Sequence, residues 1–340
     1  MKFIRFLLFP FAILYDVITR VRNWAYDIQL LKSKSFNIPI IAVGNLSVGG
    51  TGKTPMVEYL VELLQYDYKL AILSRGYQRK TKGYIVADDS KTANDVGDEP
   101  FQYFLKFPNV SVAVCENRVE GIRNLQSQKK PDIILLDDAF QHRKVKPNFS
   151  VLLTKYKDLF INDFLLPTGN LRESKLGVNR ADVIIVTKTD PTITDDEKQR
   201  ITKQLSQFQK PIFFSSIRYK DKLQGASNFT VKELINYKVL LLTGIAYPEP
   251  LATYLMDQNI NCKHLNYPDH HNFTEKDLSD IRSAFDSISA EKKLILTTEK
   301  DYVRLNGKIE GLSYLSIKST FLTAEEEENF NAKLLSHVKH

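Results

Sequence analysis

Long apolar runs are missing from this 340-residue chain. The most apolar stretch, Phe6-Leu7-Leu8-Phe9-Pro10-Phe11-Ala12-Ile13-Leu14-Tyr15, is about half the roughly 20 residues that a spanning helix needs, so no membrane-crossing helix is expected. It runs into Tyr15-Asp16 and then Arg20 and Arg22 rather than a small-residue cleavage site, so secretory cleavage is not expected either. Cysteine is scarce too. Cys115 and Cys262 are far apart and match no metal or redox spacing, which excludes a disulfide framework and fits a reducing compartment with buried thiols. Repeats and disorder-prone composition are absent. With 43% hydrophobic and 26% charged residues, the chain is globular in composition and long enough for two domains.

What the chain does have is an excess of positive charge, +7 overall, and its distribution is uneven. Residues 1–34 carry Lys2, Arg5, Arg20, Arg22, Lys32 and Lys34 against Asp16 and Asp27. Between them the apolar run continues into a helical pattern through Val17, Ile18, Val21 and Trp24. Such a helix lying in a membrane interface gains ~1.5–3 kcal/mol per buried large apolar side chain. Each basic residue near anionic headgroups adds ~1 kcal/mol. Residues 1–34 are therefore expected to form an amphipathic membrane-associating segment, with packing onto the protein's own core as the alternative. The charge is assigned to a membrane surface and an anionic substrate, not to nucleic acid, and no obligate protein partner is implied.

The stretch that organises the rest is Ile40-Ile41-Ala42-Val43-Gly44-Asn45-Leu46-Ser47-Val48-Gly49-Gly50-Thr51-Gly52-Lys53-Thr54-Pro55. An apolar run ends in a glycine-rich turn and passes into a helical pattern at Val57, Leu60, Val61 and Leu64, which predicts strand, loop, helix. Glycines let backbone N–H groups from Ser47 through Thr54 converge on phosphate oxygens. Lys53 adds a point charge, and the Thr54 hydroxyl can reach a magnesium ion. Two departures from common patterns stand out. Ser47 occupies the position of the usual first glycine, and Val48 stands where partitioning-type ATPases carry lysine. Nucleotide binding follows from the whole arrangement.

Beyond the loop, Lys69–Ser74 reads as a buried strand ending in Arg75-Gly76-Tyr77 and the basic run Arg79-Lys80-Thr81-Lys82, which is either a solvated surface or a grip for an anionic substrate. Strands and helices then alternate, which predicts an α/β fold with a parallel sheet. Pro131-Asp132-Ile133-Ile134-Leu135-Leu136-Asp137-Asp138 supplies a strand whose terminal carboxylates can hold magnesium beside the phosphate loop. The tetrad Thr187-Lys188-Thr189-Asp190 is similar to the guanine-reading turn of GTPases but is read here as a strand-end turn. From about Lys220 the α/β pattern restarts without a phosphate loop. The expected organisation is a nucleotide-binding α/β domain over 35–219 and a smaller α/β domain over 220–340 that closes a cleft.

Several motifs now occur in one order: Ser47–Pro55, Ser74-Arg75-Gly76-Tyr77, Gly97-Asp98-Glu99-Pro100, Asp137-Asp138-Ala139-Phe140-Gln141-His142, Leu171-Arg172-Glu173, Asp269-His270 and Thr298-Glu299-Lys300-Asp301. Together they resemble the tetraacyldisaccharide 4′-kinase family of the lipid A pathway, over nearly the whole chain. Ala139 stands where that family usually has glycine. The resemblance implies two α/β/α domains joined by a short β linker. It further implies ATP- and magnesium-dependent phosphorylation of the 4′-hydroxyl of a tetraacyldisaccharide 1-phosphate at the cytoplasmic face of the bacterial inner membrane. It places Lys53 and Thr54 on the phosphates and metal, Asp137, Asp138 and Glu173 around magnesium, and Asp98 with His270 on the acceptor hydroxyl. Arg75, Gln141, His142 and Arg172 are the further substrate candidates. A switch-type ATPase and a kinase of soluble metabolites are the rival classes.

Overall fold

The computed structural model describes residues 5–338; Lys2, counted in the N-terminal charge, and residues 339–340 lie outside them. A nine-stranded sheet runs in the order β14-β8-β7-β6-β1-β5-β2-β4-β3. Its members are β1 (Ile40–Asn45), β2 (Leu70–Ser74), β3 (Ile85–Val86), β4 (Ser111–Val114), β5 (Ile133–Asp137), β6 (Phe149–Lys155), β7 (Val183–Thr187), β8 (Ile212–Tyr219) and β14 (Ile317–Phe321). The seven central strands are parallel, and the edge pairs β3–β4 and β14–β8 are antiparallel.

β1 shows why an uninterrupted apolar strand is needed here. Ile41 and Val43 point into a core shared with Met56, Val57 and Leu60 of the helix Lys53–Leu64. Ile40 and Ala42 point into the opposite core, with Ile122 and Leu125 of the helix Arg118–Gln128. Both faces are covered, so neither can carry polar residues.

A second sheet, β11-β10-β12-β13-β9, is formed by β9 (Gln224–Gly225), β10 (Lys238–Thr243), β11 (Cys262–Asn266), β12 (Lys293–Thr298) and β13 (Leu312–Leu315). It divides its apolar residues in the same way, with Val239 and Leu241 on one face and Leu240 and Leu242 on the other. One boundary differs from expectation. Residues from 317 onward, assigned by the sequence to the smaller unit, return to the large one: β14 pairs with β8, and Phe330 and Leu334 of the helix Ala324–Ser336 fill the core under the phosphate-loop helix. Nothing local marks that return, because it is the partner strand, about a hundred residues away, that selects it.

The helix Phe9–Asp27 is amphipathic in an unusual sense. Its buried side chains are Ala12, Thr19, Ala25 and Tyr26; Ala12, Thr19 and Tyr26 recur every seven residues, and this face rests on the large unit. Phe11, Leu14, Ile18, Val21 and Trp24 are each more than half exposed. The alternative in which this apolar face packs onto the protein's own core is therefore not realised. Among the described residues, no helix is long and apolar enough to cross a membrane.

Candidate functional site

Parallel α/β sheets place their sites beyond the carboxyl ends of the strands, and two such ends are adjacent here. β1 pairs with β5 so that Val43 lies opposite Asp137, which brings the glycine-rich loop and the two aspartates side by side. The loop takes left-handed backbone at Gly49 (φ 97°) and Gly52 (φ 85°), where a side chain would be strained. Gly52 is also the N-cap of the helix Lys53–Leu64, so Lys53 and Thr54 occupy its first turn. The loop is braced from behind: the Thr187 hydroxyl donates to Thr51 O at 2.7 Å, Val48 N–H to Asn170 O at 2.8 Å, and Arg172 N–H to Leu46 O at 2.7 Å. Thr187 thus serves the loop itself. Lys188 beside it has its ammonium pushed down by burial and by Lys155, whereas Asp190 faces away, accepting from Thr192.

Asp137 and Asp138 have opposite electrostatics. Burial, and then the neighbouring Asp138, push the Asp137 carboxyl up to about 7. Burial also resists ionisation of Asp138, but Lys53 at 3.5 Å and Arg172 at 3.1 Å outweigh it and hold the carboxyl below its usual value. Asp138 adopts a left-handed φ of 47°, which turns its side chain toward Lys53. Two adjacent carboxylates, one of them uncompensated, next to a helix-first-turn threonine suit a magnesium ion. No full set of three or more protein carboxylates or imidazoles gathers there among the described residues, as fits a metal that draws its remaining ligands from phosphates and water.

Glu173, expected around the metal, does not join that pair. Both of its oxygens accept from Arg180 Nη2 at 2.8 Å, with Gln141 Nε2 at 3.1 Å and Asn23 Nδ2 at 2.9 Å completing its shell. Gln141 also donates to Asn45 O, so it links Glu173 to the strand feeding the loop. Arg172 reaches Asp138, and its carbonyl accepts from Tyr15 of the N-terminal helix at 2.7 Å. Arg75 is exposed at the end of β2, while His142 is half-buried, its imidazole pushed down to about 4 by burial and by Arg118 and Arg75. Of the basic run, Arg79 is engaged with Glu116 and Gly83 O. That leaves Lys80 and Lys82 exposed.

Asp98 and His270, 172 residues apart, meet across the two units, with His270 Nδ1 3.0 Å from Asp98 Oδ2. Asp98 opens the helix Asp98–Lys106, but no side chain caps that helix, so the capping role that its type and position suggest is not used. Its carboxylate is instead held by the Arg304 guanidinium, Nε donating to Oδ1 at 2.9 Å and Nη2 to Oδ2. Arg304, on the helix Glu299–Leu305, carries no motif signature and was invisible to the sequence. The same is true of a buried cluster at the other end of the Asp98 helix. Lys106 Nζ lies 2.7 Å from Glu58 of the phosphate-loop helix and 2.9 Å from Glu299 of the second unit. One ammonium between two carboxylates leaves a charge in excess, and burial, then Glu299, push Glu58 up to about 7.

Comparison with known proteins comes down on one family. A model described as "Tetraacyldisaccharide-1-P 4′-kinase" matches residues 4–339. A tetraacyldisaccharide 4′-kinase of Flavobacterium psychrophilum is 51% identical over 346 residues, covering 100% of this chain and 98% of that one. One from Bacteroides thetaiotaomicron is 42% identical over 352 residues, covering 98% and 93%. The crystal structure of "apo" form LpxK from Aquifex aeolicus in complex with ATP superposes with a TM-score of 0.81 at 32% identity, covering 99% of this chain and 100% of that one.

Proposed function

This chain belongs to the tetraacyldisaccharide-1-P 4′-kinase family, and on that premise we propose how its residues share out the reaction. The enzyme transfers the γ-phosphate of ATP to the 4′-hydroxyl of tetraacyldisaccharide 1-phosphate, giving lipid IVA. The observation that carries the assignment of roles is the convergence of Lys53, Asp138 and Arg172 at the mouth of the glycine-rich loop.

The Val48 and Thr51 N–H groups are spent on Asn170 O and Gly49 O, so the remaining backbone N–H groups from Gly49 to Thr54 bind the phosphates, and Lys53 neutralises charge on the oxygens where transfer occurs. Thr54, Asp137 and Asp138 would hold magnesium, whose chemistry is to offset phosphate charge and fix the phosphate geometry. Arg172 holds Asp138 from the far side, and Glu173 orders Gln141 and Arg180. Asp98 takes the acceptor proton, with His270 at 3.0 Å to orient it. Arg75, Gln141 and His142 line the approach of the sugar phosphate. Residues 35–219 act as the nucleotide-binding unit, and the second sheet, carrying His270, acts as the closing unit.

The exposed face of Phe9–Asp27 lies against the inner membrane on its cytoplasmic side, where the acyl chains of the substrate are held. Removal of residues 1–26 is expected to shift the protein from the membrane fraction toward solution. The truncation also removes Tyr15 and Asn23 from Arg172 and Glu173. Turnover should therefore fall even with a detergent-dispersed lipid. A truncated enzyme that still pellets with membranes would reject the anchoring role. For the transfer itself, label from [γ-32P]ATP should pass into the organic phase when the disaccharide lipid is supplied. Label released only as free phosphate would favour a switch-type ATPase.

A further inference from the structure

The turn Thr187-Lys188-Thr189-Asp190 at the end of β7 has entered so far only through Thr187, which braces the glycine-rich loop. In the sheet, β1 stands between β5 on one side and β6, then β7, on the other. The flank toward β5 carries Asp137 and Asp138, so it is the flank for magnesium and the transferring phosphate. The rest of a nucleotide seated on the loop then has the opposite flank, where the β7 turn lies. Two loop glycines show how close that turn comes. A Cβ on Gly52 would meet Thr187 at 3.7–3.9 Å, and a Cβ on Gly50 would meet a single atom within 4 Å, Lys188 Nζ at 3.8 Å.

Lys188 is held beside the loop at a cost. Its backbone is left-handed, with φ 55°, a conformation that glycine or asparagine adopts with less strain. The turn is pinned on both sides of it. The Thr187 hydroxyl donates to Thr51 O at 2.7 Å, the Thr189 hydroxyl to Val186 O at 2.8 Å, and Thr189 N–H to Ser215 O at 2.9 Å. Among the described residues the ammonium so placed has no hydrogen-bond or ion-pair partner; burial and Lys155 act on it, and no carboxylate does. Lys155 has its own counter-ion, Asp158 at 2.6 Å, and Asp190 is spent on Thr192. A partly desolvated cation without a counter-ion, set against a phosphate-binding loop, is suited to an anionic or oxygen acceptor brought by the nucleotide.

We propose that Lys188 is a further nucleotide-binding residue, whose ammonium donates to an oxygen at the nucleoside end of ATP, on the ribose or the α-phosphate. This rests on the reading of the glycine-rich loop as the ATP site, and the test separates the two. The contact lies away from the transferring phosphate, so it is made alike in the ground state and the transition state. Lys188→Met is therefore expected to raise KM for ATP and Kd for ADP about 10-fold, while kcat at saturating ATP stays near that of the wild type. Lys188→Arg, which keeps the charge, should recover most of the affinity. No protein partner loses a bond in Lys188→Met, so the nucleotide-free variant should melt no lower than the wild type, and only the stabilisation conferred by ADP should shrink. A merely structural lysine would give the reverse pattern and overturn the proposal. Inorganic tripolyphosphate, as a competitor of ATP, locates the contact. Weaker inhibition of Lys188→Met than of the wild type puts the ammonium on the α-phosphate position, and equal inhibition beside the 10-fold loss for ADP puts it on the ribose. Unchanged KM for ATP and Kd for ADP in Lys188→Met would overturn the proposal, and a crippled Lys53→Ala in the same assay would leave the loop its assignment. A loss of kcat with KM for ATP unchanged would also overturn it. Near-wild-type turnover in Lys53→Ala would instead reject the loop reading, and the proposal with it.

Discussion

Lys53→Ala is expected to lower phosphoryl transfer by at least about 10²-fold, the scale on which a single charge-stabilising group at the transferring centre is lost. The ammonium occupies the first turn of the phosphate-loop helix, where the peptide N–H groups already favour anions. Among the described residues its one ion pair is with Asp138 at 3.5 Å, and both side chains are partly accessible to solvent. Such a pair contributes about 1 kcal/mol or less, so the variant should melt close to the wild type. A large loss of turnover with an unchanged melting temperature is therefore the expected pattern. Near-wild-type turnover would reject the assignment of this loop to the transferring phosphate.

The second large effect is expected at Asp98 and His270. A sugar hydroxyl is a weak nucleophile, and a base that takes its proton in the transition state contributes roughly 10²–10⁴-fold. Asp98→Ala and His270→Ala should each lose kcat while ATP affinity stays near that of the wild type. The double variant should lose little more than the worse single one, because two groups acting as a unit are not additive. Asp98→Ala carries a complication. It leaves the Arg304 guanidinium, itself largely buried, without its carboxylate, so the fold should be weakened as well. Asp98→Asn keeps an acceptor for Arg304 but is a far weaker base. It should show the kinetic loss with a smaller loss of stability. Multiplicative losses in the double variant would contradict a shared role.

Much of this was legible in the chain because the signals were local. Ile40–Val43, then glycines, then Lys53-Thr54, is a strand, a turn and a helix start written within sixteen residues, and Ile133–Asp138 is a buried strand with its carboxylates at the end where ligands bind. The helix Arg118–Gln128 likewise starts at a local signal, Asn117, which caps it by accepting from Glu120 N–H. Features that depend on remote partners were not legible. Arg304 is 206 residues from Asp98, and Lys106 is 193 residues from Glu299, so nothing in either neighbourhood marks the contact. Glu173 illustrates the converse. Its motif points to the metal, but Arg180, seven residues on, occupies both of its oxygens. The exposed apolar stripe at Phe11, Leu14, Ile18 and Val21 was readable as a pattern, whereas which face docks on the protein depends on Tyr15 and Asn23 finding Arg172 and Glu173.

The position of the new phosphate on the lipid tests the account most directly. The full-length enzyme would be incubated with ATP, magnesium and tetraacyldisaccharide 1-phosphate, and the extracted product examined by proton–phosphorus correlation NMR. The account predicts a second phosphomonoester coupled to the proton on the 4′ carbon, with the 1-phosphate unchanged and one ADP formed per product. ADP formation without a new phosphorus–carbon-4′ proton correlation, or phosphate on any other hydroxyl, would contradict it.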